Sequence, residues 1–170
     1  MSIQIDVGKE QLWRDVAGKM SRVTDKLGMT IDPGIMDTVV ALNLLGIPTV
    51  QSCEGHIDHG IAAPWIFFTS PGIDDRPGQP QHIYEQNRQK HIQDQQKMLS
   101  YLDTFYANIK VLHDRMLIVY RRTPGTSVLE SQGARCQFFD SLEEKAEKLG
   151  EYQEEMYLFT AFLKRMFFSS

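Results

Sequence analysis

Cysteine is scarce in this 170-residue chain: Cys53 and Cys136 are its only two. Two thiols do not make a disulfide scaffold, and both are expected to be reduced. Long apolar runs are missing too; none approaches the roughly 20 residues needed to span a bilayer. The opening MSIQIDVGKEQLWRD lacks the apolar core of a secretory signal. Together these absences lead to the expectation of a cytoplasmic protein with no membrane partner. An excess of positive charge is also absent. The net charge is -4, whereas nucleic-acid binders are generally basic. The nearest thing to a basic patch is one pair, Arg121 and Arg122, so a nucleic-acid partner is not expected. No internal repeat and no long linker divides the chain, and residues 1–170 read as a single domain.

What is present is ordinary for a globular protein: 42% apolar and 24% charged residues. Apolar positions at spacings of three and four predict an amphipathic helix over residues 9–27, stopped by Gly28. A second helix follows, with Asp32 as its cap and Pro33 in its first turn. Ile35, Val39, Leu42 and Leu45 form its buried stripe, and Gly46 ends it. Residues 47–52 and 64–70 read as short strands. Residues 71–80, with three prolines and two glycines, cannot be regular structure. A long helix is expected over residues 81–110, its Gln-rich front half in solvent and its rear half packed through Met98, Leu99, Leu102, Phe105, Tyr106 and Ile109. Strands are expected at 116–121, 128–130 and 135–139, with a turn at Pro124 and Gly125. A last helix begins at Asp140 or Ser141, with Asp140 and Glu143 as a capping box. The fold class is α+β: an antiparallel or mixed sheet of about four to five strands flanked by long helices.

Chemistry concentrates in one place. Between the first two expected strands stands SCEGHIDHG, residues 52–60. It places a thiol (Cys53), two carboxylates (Glu54, Asp58) and two imidazoles (His56, His59) within seven positions. Loops carried on rigid strands are where functional groups usually sit. Cys, His and carboxylate ligate transition metals or act as nucleophile and base. Gly55 allows the sharp turn that lets Cys53 and His56 converge. The metal reading takes Cys53, His56, Asp58 and His59 as ligands, with zinc or a similar divalent ion as the cofactor. Ligands still missing would come from His82, His91, His113, Cys136 or solvent. Ser52, Glu54, Gly55 and Trp65 are candidates for binding a small-molecule ligand. A catalytic reading takes Cys53 as nucleophile and His56 or His59 as base, and ranks below metal or ligand binding because no third orienting group is evident. The bland alternative is a polar hairpin loop with a buried cysteine. Single histidines on the long helix read as solvated.

The run IDPGIMDTVVALNLLGIPTVQSCEGH, residues 31–56, resembles the N-terminal block of the wybutosine-synthesis tRNA methyltransferase family. The likeness rests on Asp32, Asn43, Thr49, Ser52, Cys53 and Gly55; where that family has Arg, this chain has His56. The chain is also similar to uncharacterised bacterial and phage proteins with a Ser-Cys-x-Gly-His turn before a Pro-aromatic strand, here Pro64 and Trp65. The resemblance implies an α+β fold with the Ser-Cys-x-Gly turn at a functional cleft, and S-adenosylmethionine or a nucleotide as ligand. The acidic balance, His56, Asp58 and His59 point to different chemistry from methyl transfer. Three functions therefore stand: a metal or small-ligand site with hydrolysis among its chemistries, an S-adenosylmethionine- or nucleotide-binding enzyme, and a non-catalytic interaction module.

The final helix carries Met156, Tyr157, Leu158, Phe159, Phe162, Leu163, Met166 and Phe167 within a dozen residues. That is more apolar circumference than one sheet covers. A homodimer through this helix is expected; the alternative cover is the N-terminal helix, through Leu12, Trp13 and Val16.

Overall fold

The computed structural model describes residues 7–70 and 78–170. Four helices and four strands follow in the order α1 (Val7–Met20), α2 (Pro33–Leu44), β1 (Thr49–Cys53), β2 (Trp65–Thr69), α3 (Gln81–Tyr106), β3 (Leu117–Thr123), β4 (Thr126–Ser131) and α4 (Leu142–Ser169), with a 3-10 turn at Gln132–Arg135 before α4. The strands form one antiparallel sheet in the order β1-β2-β4-β3. The fold is α+β, as expected. The expected turn at Pro124 and Gly125 closes the β3–β4 hairpin.

Alternation along the strands splits the sheet into two unlike faces. Ile66, Phe68, Leu117 and Leu129 join Ile35, Leu42, Met98, Leu102, Phe105, Met156, Phe159 and Leu163 of the helices in one core. Cross-strand partners share a face, so the other face carries Cys53, Trp65, Glu130 and Ile118 in one row across all four strands. Phe67, Val128 and Tyr120 make the next row. None of these belongs to the helix-packed core.

Several elements depart from their sequence expectations. α1 ends at Met20 rather than at residue 27. Asp25 accepts the N–H groups of Leu27 and Met29 on Oδ1, and Thr24 bridges Thr30; this local turn outcompetes another helical turn. The front of α3 is not all in solvent. Asn87 and His91 are buried, because α3 lies along the sheet and sets His91 against Phe68 and the Ser127 hydroxyl at 2.7 Å. The strand expected at 135–139 does not form. The 3-10 turn, with the Gln132 and Gly133 N–H groups bound to Met116 and Asp114 carbonyls, swings the chain off the sheet and leaves Phe138 exposed. The capping box of α4 lies one residue later than expected: Ser141 Oγ accepts the Glu144 N–H at 3.1 Å, and the Glu144 carboxylate accepts the Asp140 N–H at 2.8 Å. The break expected over residues 71–80 falls mostly outside the described residues.

α4 buries Met156, Phe159, Phe162, Leu163 and Phe167. α1 covers its far end, where Trp13 packs on Phe167 and Phe168 and Lys164 lies over the Trp13 ring. Tyr157, Leu158, Met166 and Phe168 keep exposed surface. No helix among the described residues is long and apolar enough to cross a membrane.

Candidate functional site

The site forms where β1 ends against the start of α2. Asp32 occupies the N-cap position, yet makes no side-chain bond to its own helix. Its Oδ2 instead accepts the N–H of Glu54 at 3.0 Å. Glu54 completes the exchange: its Oε2 accepts the N–H of Gly34, in the first turn of α2, at 2.6 Å. The carboxylate at the helix N-terminus is thus Glu54, a favourable position for negative charge. The two acidic residues clasp the strand end to the helix start. The helix cap read from the sequence is divided between Asp32 and Glu54, 22 positions apart in the bond they share.

That clasp aims Asp32 at the loop. Its Oδ2 lies 3.5 Å from His56 Nε2. Asp32, Cys53 and His56, all partly buried, bring ligand atoms within 4.8 Å of one another. His56, Asp58 and His59 form a second such group, of which Asp58 and His59 are exposed. The two groups share His56, whose ring stacks on His59 with centroids 4.2 Å apart. Asp58 Oδ1 and His59 Nδ1 are 2.8 Å apart, and that bond is the main reason the Asp58 carboxyl titrates below its ordinary range.

Gly55 shapes the turn. Its φ is +85°, in the left-handed region that disfavours side chains. A Cβ there would sit 2.7 Å from both the Ala63 backbone and the Leu149 side chain. The rest of the loop is tied down from outside: Gln153 donates to the Glu54 carbonyl at 3.0 Å, Gln137 to the Ala62 carbonyl at 3.2 Å, and Lys145 to the Ile57 carbonyl.

Burial is the main cause pushing the Cys53 thiol above its ordinary pKa; the neighbouring Asp32 charge and a hydrogen bond to Asp32 add to it, against the Gly55 N–H, which lowers it. A nucleophilic cysteine needs the reverse. At neutral pH Cys53 is a thiol held beside a carboxylate, a proton standing where a cation would fit.

The sequence candidates therefore divide. Cys53 and His56 converge as expected, and Asp58 and His59 form an adjoining exposed arm. Gly55 supplies the turn, and Glu54 serves the helix clasp. Ser52 pairs with Ile66 and so faces the helices, away from Cys53. Trp65 pairs with Cys53 and is partly exposed beside it. Cys136, His82 and His113 are exposed elsewhere, and His91, on α3, is buried against the sheet. The candidate metal ligand that the spacing did not reveal is Asp32. Its signal was present as a cap-position Asp ahead of Pro33, but a helix cap was sufficient reason for it. Against this geometry, no protein-family model, no curated protein and no solved structure matches the chain.

Proposed function

We propose that the protein binds a divalent transition-metal ion, zinc by donor chemistry, through Asp32, Cys53 and His56, and uses it on a small-molecule substrate, with hydrolysis the reaction favoured by an open metal position. The observation that carries this reading is the arrival of Asp32, from the start of α2, within 4.8 Å of both Cys53 and His56. One thiolate, one imidazole and one carboxylate make a mixed set typical of zinc. With the thiol deprotonated, the set carries two negative charges against the two positive charges of the ion. Zinc at about 2.0–2.3 Å from each ligand would draw the three atoms to about 3.3–3.8 Å of one another. Side-chain rotation of about 1 Å achieves that, with no change of fold.

Three protein ligands leave a fourth position for water or substrate, the arrangement of catalytic rather than structural zinc sites. His59, stacked on His56 and hydrogen-bonded to Asp58, is the exposed imidazole beside the three candidate ligands. It would suit a proton carrier for the chemistry that a bound metal would supply. Calorimetric titration of zinc into chelator-treated protein tests the reading. One ion per chain, lost in His56→Ala, is the expected result. No uptake by the wild-type protein removes it.

A further inference from the structure

Glu130 is the most unusual charged residue outside the ligand set. It is 1% exposed. Its Oε1 accepts two bonds, from the Tyr120 hydroxyl at 2.7 Å and from Arg135 Nε at 2.8 Å. Its Oε2 is buried with no partner among the described residues. A buried carboxylate oxygen without a donor is costly, and buried polar atoms are nearly always satisfied. Two donors crowd one oxygen while the other has no donor among the described residues.

The place of Glu130 in the sheet fixes its neighbours. It pairs with Trp65, which pairs with Cys53. The three side chains stand in a row on the sheet face opposite the helix-packed core, where Trp65 keeps some exposed surface while Glu130 is buried. With strands about 4.8 Å apart, Cys53 and Glu130 lie about 10 Å from one another, and Trp65 lies between them. An indole ring, partly exposed, is the floor of this interval. Trp65 also packs on Phe67, with centroids 4.6 Å apart, and Arg122 lies over the Phe67 ring at 4.6 Å. The side chain of Arg135 is 44% exposed and bonds Oε1 alone; a subsite at Oε2 requires the side chains packed around Glu130 to move aside.

We infer that this row is a substrate subsite for a planar nitrogen heterocycle, which stacks on Trp65 and donates an N–H to Glu130 Oε2. The stack uses the one aromatic face of the row. The N–H supplies the missing donor to an ionised acceptor, a strong kind of hydrogen bond. The interval of two strands matches one ring plus a short substituent, which places that substituent over Cys53. The inference rests on the metal-site reading for what happens to the substituent there. The ring subsite itself requires no ion.

The test uses Trp65 as its own reporter. Trp13→Phe leaves Trp65 as the sole tryptophan, since the chain has two. Chelator-treated protein is titrated with 2-aminobenzimidazole, which carries N–H donors, and with 1,2-dimethylbenzimidazole, which has none. Saturable quenching by the first, with binding at least about tenfold weaker for the second, is expected; that is the worth of one hydrogen bond to a charged group. Glu130→Gln, which retains an oxygen for Tyr120 and Arg135 but offers a donor in place of Oε2, should weaken the first ligand by a similar factor. Trp65→Leu leaves every bond of Glu130 in place, and calorimetry should find its binding of 2-aminobenzimidazole lost. Equal affinity for the two ligands, no saturable quenching, or an unaltered affinity in Glu130→Gln overturns the subsite. Zinc uptake is measured on the same preparation. Quenching without zinc uptake supports the subsite and removes the metal reading, whereas zinc uptake without quenching removes the subsite alone.

Discussion

Asp32 Oδ2 accepts the Glu54 N–H at 3.0 Å while lying 3.5 Å from His56 Nε2. One oxygen thus fixes the loop to α2 and faces the imidazole. The two tasks separate by substitution. Asn at position 32 keeps an oxygen for the Glu54 N–H but loses the charge. Asp32→Asn should therefore keep its stability to within about 1 kcal/mol, and its zinc affinity should fall at least about tenfold, since the loss of even a ligand's hydrogen-bond partner costs that much. Urea denaturation and zinc titration read the two effects independently. A large loss of stability with unchanged zinc binding would make Asp32 a structural cap only.

Gly55 and Gly60 both have positive φ, +85° and +65°, but only Gly55 is enclosed. A Cβ at Gly60 would meet nothing within 4 Å. Gly60→Ala should cost about 1 kcal/mol, from backbone conformation alone. Gly55→Ala adds the collision with Ala63 and Leu149 and should cost about 2–4 kcal/mol. Chemical denaturation compares them; equal losses would mean that the turn is free to move away from α4.

The Cys53 thiol gives the metal-free protein a signature at high pH. Burial, chiefly, holds its folded pKa above its ordinary value. The folded chain then keeps this proton longer than the unfolded chain does. The associated stability is fully present below the unfolded thiol value, about 8.5, and is lost as pH rises through the folded value. Metal-free protein should lose thermal stability above about pH 8.5, and Cys53→Ser should remove that part of the loss. Zinc reverses the dependence, because the ion must displace the proton. Affinity should strengthen about tenfold per pH unit between pH 7 and 8. A pH-independent affinity would exclude the thiolate as a ligand.

Trp13 shields Phe167 and Phe168 at the end of α4. Trp13→Ala should cost about 2–3 kcal/mol, less than a fully buried tryptophan. The twofold assembly expected from the sequence now rests on Tyr157, Leu158, Met166 and Phe168, which remain exposed on α4. Light scattering of the wild-type protein at micromolar concentration should give a dimer mass that Leu158→Glu returns to the monomer. A wild-type monomer would show that the cover from α1 is sufficient.

The sheet and the chemistry-bearing loop were legible because both depend on local signals: alternation, glycine and the density of ligating side chains. The final helix was legible for the same reason. What the sequence hid was tertiary. Asp32 looked like an ordinary helix cap, and only the meeting of β1 with α2 turns its carboxylate towards His56. His91 looked solvated because its polar neighbours on α3 are so; the sheet beneath, through Phe68 and Ser127, decides otherwise. The run CQFFD has the residue types of a strand, but the 3-10 turn before it leads away from the sheet edge. Leu27 continued the helical spacing of α1, yet Asp25 captures the N–H groups two and four positions on. Glu130 gave no signal at all, since its significance lies in an unpartnered oxygen.

The measurement that bears most directly on the central claim is the metal content of wild-type protein and of Asp32→Ala, both purified without chelators and then equilibrated with zinc. One zinc ion per chain is expected in the wild type and less than about a tenth of that in Asp32→Ala under the same free-zinc concentration. Wild-type protein that takes up no zinc, or an Asp32→Ala variant that binds it as well as the wild type, would contradict it.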